Sequence, residues 1–179
     1  MLKWLLMALA AGVILLMWRM SAYTRRNLPK VNEPAPDFSL PDQSGRLRTN
    51  AEFRGRWLVL YFYPRDDTPG CTEQAVRFRD AMSGFEALGA AVCGVSVDDS
   101  ASHADFARKF NFSFTLLADA RGTVAARYGS LRNFGFTRIA QRNTFVIDPQ
   151  GKVARVYLGV NPSRNAREVA EDLRRLMKP

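Results

Sequence analysis

The feature that most constrains this chain is WLVLYFYP at 57–64, a continuous apolar, β-rich run closed by a proline. Such a run suits a strand buried on both faces. A second buried run, AAVCGVSVD, follows at 90–98, and TLLAD at 115–119 reads as a third strand. Between the first two, Ala75, Phe78, Met82, Phe85 and Leu88 keep helical spacing, which predicts an amphipathic helix over 72–88. SHADFARKF (102–110) and GTVAARYG (122–129) read as two shorter helices. NTFVIDPQGKVARVYLG (143–159) reads as two strands joined at Asp148-Pro149-Gln150-Gly151, and NAREVAEDLRRLMK (165–178) as a closing amphipathic helix. FSLPDQSGRLRTNAEF (38–53) reads as a hairpin turning at Gln43-Ser44-Gly45. Strands alternating with helices, then a hairpin and a final helix, imply an α/β chain of the thioredoxin-like fold. Its mixed central sheet carries helices on both faces.

Ahead of this domain, WLLMALAAGVILLMW (4–18) is uninterrupted apolar sequence flanked by Lys3 and by Arg19, Arg25, Arg26 and Lys30. As a helix it covers about 22 Å, and snorkelling flanks extend it toward the ~30 Å hydrocarbon core. We read 1–26 as one N-terminal transmembrane or signal-anchor helix in the bacterial inner membrane, with a cleaved signal peptide as the alternative. The charge flanks favour a cytoplasmic domain and export a periplasmic one; both sides stay open. Residues 27–36, NLPKVNEPAP, read as a short linker, and 37–179 as the catalytic domain. The formal charge is +9; four of these positive charges lie within 1–26, leaving +5 scattered over the rest. No basic stripe with interleaved aromatics is present, which argues against nucleic-acid binding. Two cysteines and one histidine rule out a disulfide framework and offer no metal-ligand spacing, so no metal or cofactor is expected.

The chemistry is expected at Cys71. A cysteine nucleophile works as the thiolate. Pro69-Gly70 after a strand end, with a helix following, puts Cys71 in a first turn, where unpaired N–H groups and the positive dipole end favour an anion. Thr68 can turn its hydroxyl toward the sulfur or toward an oxygen bound beside it, and Pro64 can shield one side from water. His103 reads as an exposed first-turn residue and Glu73 as a cap for backbone donors. Phe110, Phe112, Phe114, Phe134 and Phe136 read mainly as core or loop anchors.

The run Pro64-Arg65-Asp66-Asp67-Thr68-Pro69-Gly70-Cys71 resembles the peroxiredoxin pattern P-x-x-x-T-x-x-C. With GVSVDDSASHADF (94–106), FTLLAD (114–119) and RNTFVIDPQGKV (142–153), it resembles the bacterioferritin-comigratory, or Q-type, branch, from about Pro34 to Met177. The resemblance implies a peroxidatic Cys71 that becomes a sulfenic acid, Thr68 orienting the peroxide and Pro64 protecting the sulfenate. It implies that Arg142 stabilises the thiolate and the leaving oxygen, with Gly70 and Cys71 N–H groups as further donors. Many Q-type members carry a resolving cysteine five residues on; here that residue is Val76, and Gln74 excludes a C-x-x-C pair. Cys93 reads as core. The implied protein is a one-cysteine peroxidase acting on hydrogen peroxide and organic hydroperoxides, a monomer or weak dimer. It depends on an external thiol such as thioredoxin, glutaredoxin or glutathione. A membrane-anchored redox sensor or thiol-disulfide partner protein is the alternative.

Overall fold

A computed structural model describes residues 27–134 and 137–178, together with Trp4, Met7 and Gly12. The expected membrane segment therefore lies almost wholly outside the described residues. Among those described, no helix is long and apolar enough to cross a membrane. The sheet has five strands: β3 (Trp57–Phe62), β4 (Ala90–Ser96), β5 (Thr115–Ala118), β8 (Thr144–Ile147) and β9 (Val153–Tyr157). Their order is β5-β4-β3-β8-β9. β3 pairs parallel with β4 and antiparallel with β8, so the sheet is mixed, as the strand and hairpin order implied. Two small hairpins lie outside it, β1 (Ser39–Pro41) with β2 (Leu47–Thr49) and β6 (Leu131–Asn133) with β7 (Arg138–Ala140). The second is too short to leave a periodic signal and was not anticipated. Residues 50–53, expected in the first hairpin, form a 3₁₀ turn.

Burial on both faces explains the unbroken apolar runs. Along β3 and the residue after it, Val59, Tyr61 and Tyr63 join one core while Leu58, Leu60 and Phe62 join the other. The first core is covered by α1 (Pro69–Asp80), α2 (Met82–Ala87), α3 (Ser100–Phe110) and α5 (Asn165–Leu176), through Ala75, Phe78, Phe85, Phe106, Val169 and Leu173. The second is covered by α4 (Thr123–Arg127) and the N-terminal hairpin. The helix expected over 72–88 starts three residues early and breaks at Ala81. There the N–H reaches both Arg77 O (3.2 Å) and Phe78 O (3.1 Å), a tightening that leaves Phe78 and Phe85 both facing inward, their rings tilted at 5.8 Å. Part of the expected linker is tied down: Asn32 N–H donates to Val153 O (2.8 Å) and Ala35 N–H to Gly151 O (3.0 Å). Phe112 and Phe114 are buried and stacked at 5.2 Å, Phe134 is exposed, and Phe136 lies outside the described residues.

Candidate active site

β3 delivers the chain to Pro64, and a short segment then turns it into α1. Thr68 takes the N-cap position with extended φ and ψ, and its side chain makes no capping bond. Pro69 at the first helical position has no N–H to leave unpaired. Cys71 follows in the first turn, so the unpaired N–H groups and the positive dipole end surround a thiol that is 1% exposed. Arg142 reaches in from just ahead of β8, the neighbouring strand that pairs directly with β3. Its Nη2 lies 3.4 Å from Cys71 Sγ, and its Nη1 donates to Gln74 Oε1 (2.7 Å) and, more weakly, to Gly70 O (3.4 Å). A planar guanidinium can hold all three because its donors form a fixed fork.

Gln74 is one turn past Cys71's own position, and it is fully buried. Its amide donates to Asn165 Oδ1 (2.9 Å), which also accepts from the Thr144 hydroxyl (2.9 Å). The guanidinium is thus braced through Gln74 against the start of α5 and the first residue of β8. Gly70 lies directly under the guanidinium: a Cβ there would stand 3.4 Å from Arg142 Nη2, at the near edge of van der Waals contact.

Of the anticipated residues, Cys71, Arg142 and Gly70 are brought together. Thr68 is half-buried beside them, and its hydroxyl donates to Arg65 O (3.1 Å) rather than to the sulfur. That bond fixes the hydroxyl proton and leaves the oxygen lone pairs free to accept. Pro64 is half-buried, two residues past the end of β3. Glu73 is exposed. The expectation for His103 is overturned: it is wholly buried, its Nδ1 2.7 Å from Asp66 Oδ2. It sits on the inward side of α3, and its carboxylate partner lies 37 residues away, which the local sequence does not reveal. Gln74 and Asn165 were also missed as functional positions. A polar residue at a helical core position was the one available signal for Gln74.

Cys93 sits mid-strand in β4 and belongs to the core on the opposite face from Cys71. Burial pushes its thiol up to about 12, against a smaller downward pull from Arg48 and Arg56. Among the described residues no group of His, Cys, Asp or Glu side chains can hold a metal.

A mixed thioredoxin-like sheet presenting a buried thiol at a helix mouth under an arginine defines a class of thiol-chemistry domains. The chain belongs to the AhpC/TSA family, which it matches over residues 31–156. It is 38% identical over 144 residues to a peroxiredoxin bcp of Coxiella burnetii, covering 78% of this chain and 95% of that one. It is 45% identical over 123 residues to a chloroplastic peroxiredoxin Q of Oryza sativa subsp. japonica, covering 69% of this chain. That match spans only 56% of the rice protein, so the chain reaches a little over half the length of its chloroplast relatives. Among solved structures, it is similar to peroxidoxin BcpB of Mycobacterium tuberculosis, with a TM-score of 0.80 and 36% identity. That similarity covers 84% of this chain and 99% of the other.

Proposed function

We propose that the protein is a thiol-dependent peroxidase of the one-cysteine type, reducing hydrogen peroxide and organic hydroperoxides and contributing to antioxidant defence. The observation that carries this reading is the Arg142 guanidinium 3.4 Å from Cys71 Sγ at the mouth of α1. The Cys71 thiolate attacks the terminal peroxide oxygen; the S–O bond forms as the O–O bond breaks. The sulfur is oxidised to a sulfenic acid, and the other oxygen leaves as alkoxide or hydroxide and takes up a proton. Arg142 donates to the charge that grows on the leaving oxygen, and first-turn N–H groups assist. Thr68, its proton engaged by Arg65 O, accepts from the peroxide O–H and so orients it. Pro64 limits water at the sulfenate.

Cys93 lies across the sheet, so an external thiol supplies the reducing equivalents. One thiol displaces water from the sulfenic acid to give a mixed disulfide. A second releases Cys71 and leaves as the disulfide. Residues 1–26 act as a single-pass anchor that holds the domain beside a bacterial inner membrane. The test is mass spectrometry of the reduced protein after one equivalent of peroxide, with and without thiol. The expected products are one added oxygen on Cys71 and then a mixed disulfide. An intramolecular Cys71–Cys93 disulfide refutes the one-cysteine step.

A further inference from the structure

The segment between Pro64 and Thr68 has one side-chain bond of its own across it, from Thr68 to Arg65 O. It is tied instead to elements behind it. Asp66 is 8% exposed, and its carboxylate takes three donors: the Tyr63 hydroxyl on Oδ1 (2.7 Å), and the Ser102 hydroxyl and His103 Nδ1 on Oδ2 (both 2.7 Å). Its backbone N–H donates to Asp98 Oδ2 (2.8 Å), which also accepts from the Ser96 hydroxyl (2.6 Å). The next residue, Asp67, turns left-handed with φ 53°, and its carboxylate pairs with Lys109 (2.6 Å) at the surface. The ends of β3 and β4 and the first turn of α3 therefore all converge on one residue, five positions before Cys71. A carboxylate can only accept, so Nδ1 carries the proton, and Nε2 is left buried without a partner among the described residues. A fold that needed only to fill this space could do so with apolar groups, at no cost in unpaired nitrogen.

We propose that Asp66 and His103 form a positioning latch that holds Thr68 and Gly70 in register with Cys71 for peroxide recognition. The latch rests on the peroxidase reading above. Neither residue touches the reacting atoms; both act through the backbone of residues 65–70. Removing the latch leaves the thiol present but misplaces the groups that orient the peroxide.

The test compares two reactions of Cys71 in the full chain, with hydrogen peroxide and with iodoacetamide. Iodoacetamide needs the Cys71 thiolate and no oriented oxygen. In Asp66→Asn and His103→Leu, the peroxide rate constant falls by about tenfold to a hundredfold, the scale of a misplacement near 1 Å. Alkylation is unchanged or faster, and amide hydrogen exchange quickens over residues 65–72 but not in β3 or β4. His103→Asn, whose amide can replace the Nδ1–H donor, recovers most of the peroxide rate. Ser102→Ala removes one of three donors at a half-buried site that tolerates the change, and slows the peroxide reaction by a smaller factor. Parallel loss of both reactions, or an unchanged peroxide rate in folded Ser102→Ala and His103→Leu, overturns the latch. A wild-type Cys71 that alkylates but does not react with peroxide sinks the peroxidase reading instead. In that case local exchange over 65–72 alone decides whether the latch exists.

Discussion

Cys71 and Cys93 are both buried, at 1% and 0% exposure, and they flank the same sheet from opposite faces. Cys71 stands where β3 has ended and a helix begins, among unpaired N–H groups and beside a braced guanidinium. Cys93 stands within a strand, in the core of the opposite face, where burial outweighs the pull of Arg48, Arg56 and the Thr115 side chain and pushes its thiol up to about 12. Burial by itself therefore does not decide whether a cysteine reacts. What decides it is whether the surroundings supply donors to a sulfur anion, and those surroundings occur at element ends rather than within a strand.

The largest effect tests this contrast directly. Cys71→Ser should abolish peroxide consumption by the reduced protein, whereas Cys93→Ser should leave it within about twofold of wild type, as expected for a site that shares no partners with Cys71. Consumption is followed by residual peroxide after mixing at equal concentrations. Loss of turnover in Cys93→Ser would break the contrast, because it would require the two sulfurs to meet across the sheet. A step below comes Arg142→Lys, which keeps the charge but loses the fork to Cys71, Gln74 and Gly70. The rate constant with peroxide should fall by about a hundredfold, in line with loss of a preorganised donor. A fall of twofold or less would mean that charge alone suffices.

How much of this was legible in the sequence differs between the two faces. The strand and helix order, the hairpin at 143–159 and the helix mouth at Cys71 could be read locally, because apolar period and Pro-Gly punctuation are local signals. Cys93 was also readable as core, from the apolar neighbours in AAVCGVSV. The brace behind Arg142 was not. Gln74 and Asn165 meet across 91 residues, and Asp66 and His103 across 37. A polar residue at a buried helical position looks the same in sequence whether its partner exists or not. The break at Ala81 was hidden for a related reason, since Phe78 and Phe85 keep a spacing that one continuous helix would also satisfy.

Gln74 sharpens the comparison from the active face. It is the acceptor that holds Arg142 Nη1, and its own amide is held by Asn165. Gln74→Leu should lower the peroxide rate constant by about tenfold, less than loss of the guanidinium. It should also cost about 1–3 kcal/mol of stability, because Asn165 and Arg142 each lose a partner in a buried setting. Denaturant midpoints and single-turnover rates measured on the same sample separate the two. A stability loss with no change in rate would show that Gln74 braces the fold and not the arginine.

The smallest effect belongs to Cys93, and its sign follows from linkage. A thiol in the unfolded chain titrates near ~8.5, and in the fold burial raises it to about 12. Below pH ~8.5 both states hold the proton, and the stability associated with the neutral buried thiol is fully present. Between there and about 12 only the folded state holds it, so this contribution declines steadily as pH rises. Cys93→Ala removes the titrating group and leaves a cavity the size of one sulfur, at a cost of about 1 kcal/mol near neutrality. The gap in unfolding free energy between wild type and variant should then narrow from pH 8.5 upward, followed by urea titration at several pH values. A gap that stays constant over that range would mean that Cys93 can ionise without leaving its layer. The distinction between the two faces of the sheet would then rest on Arg142 alone.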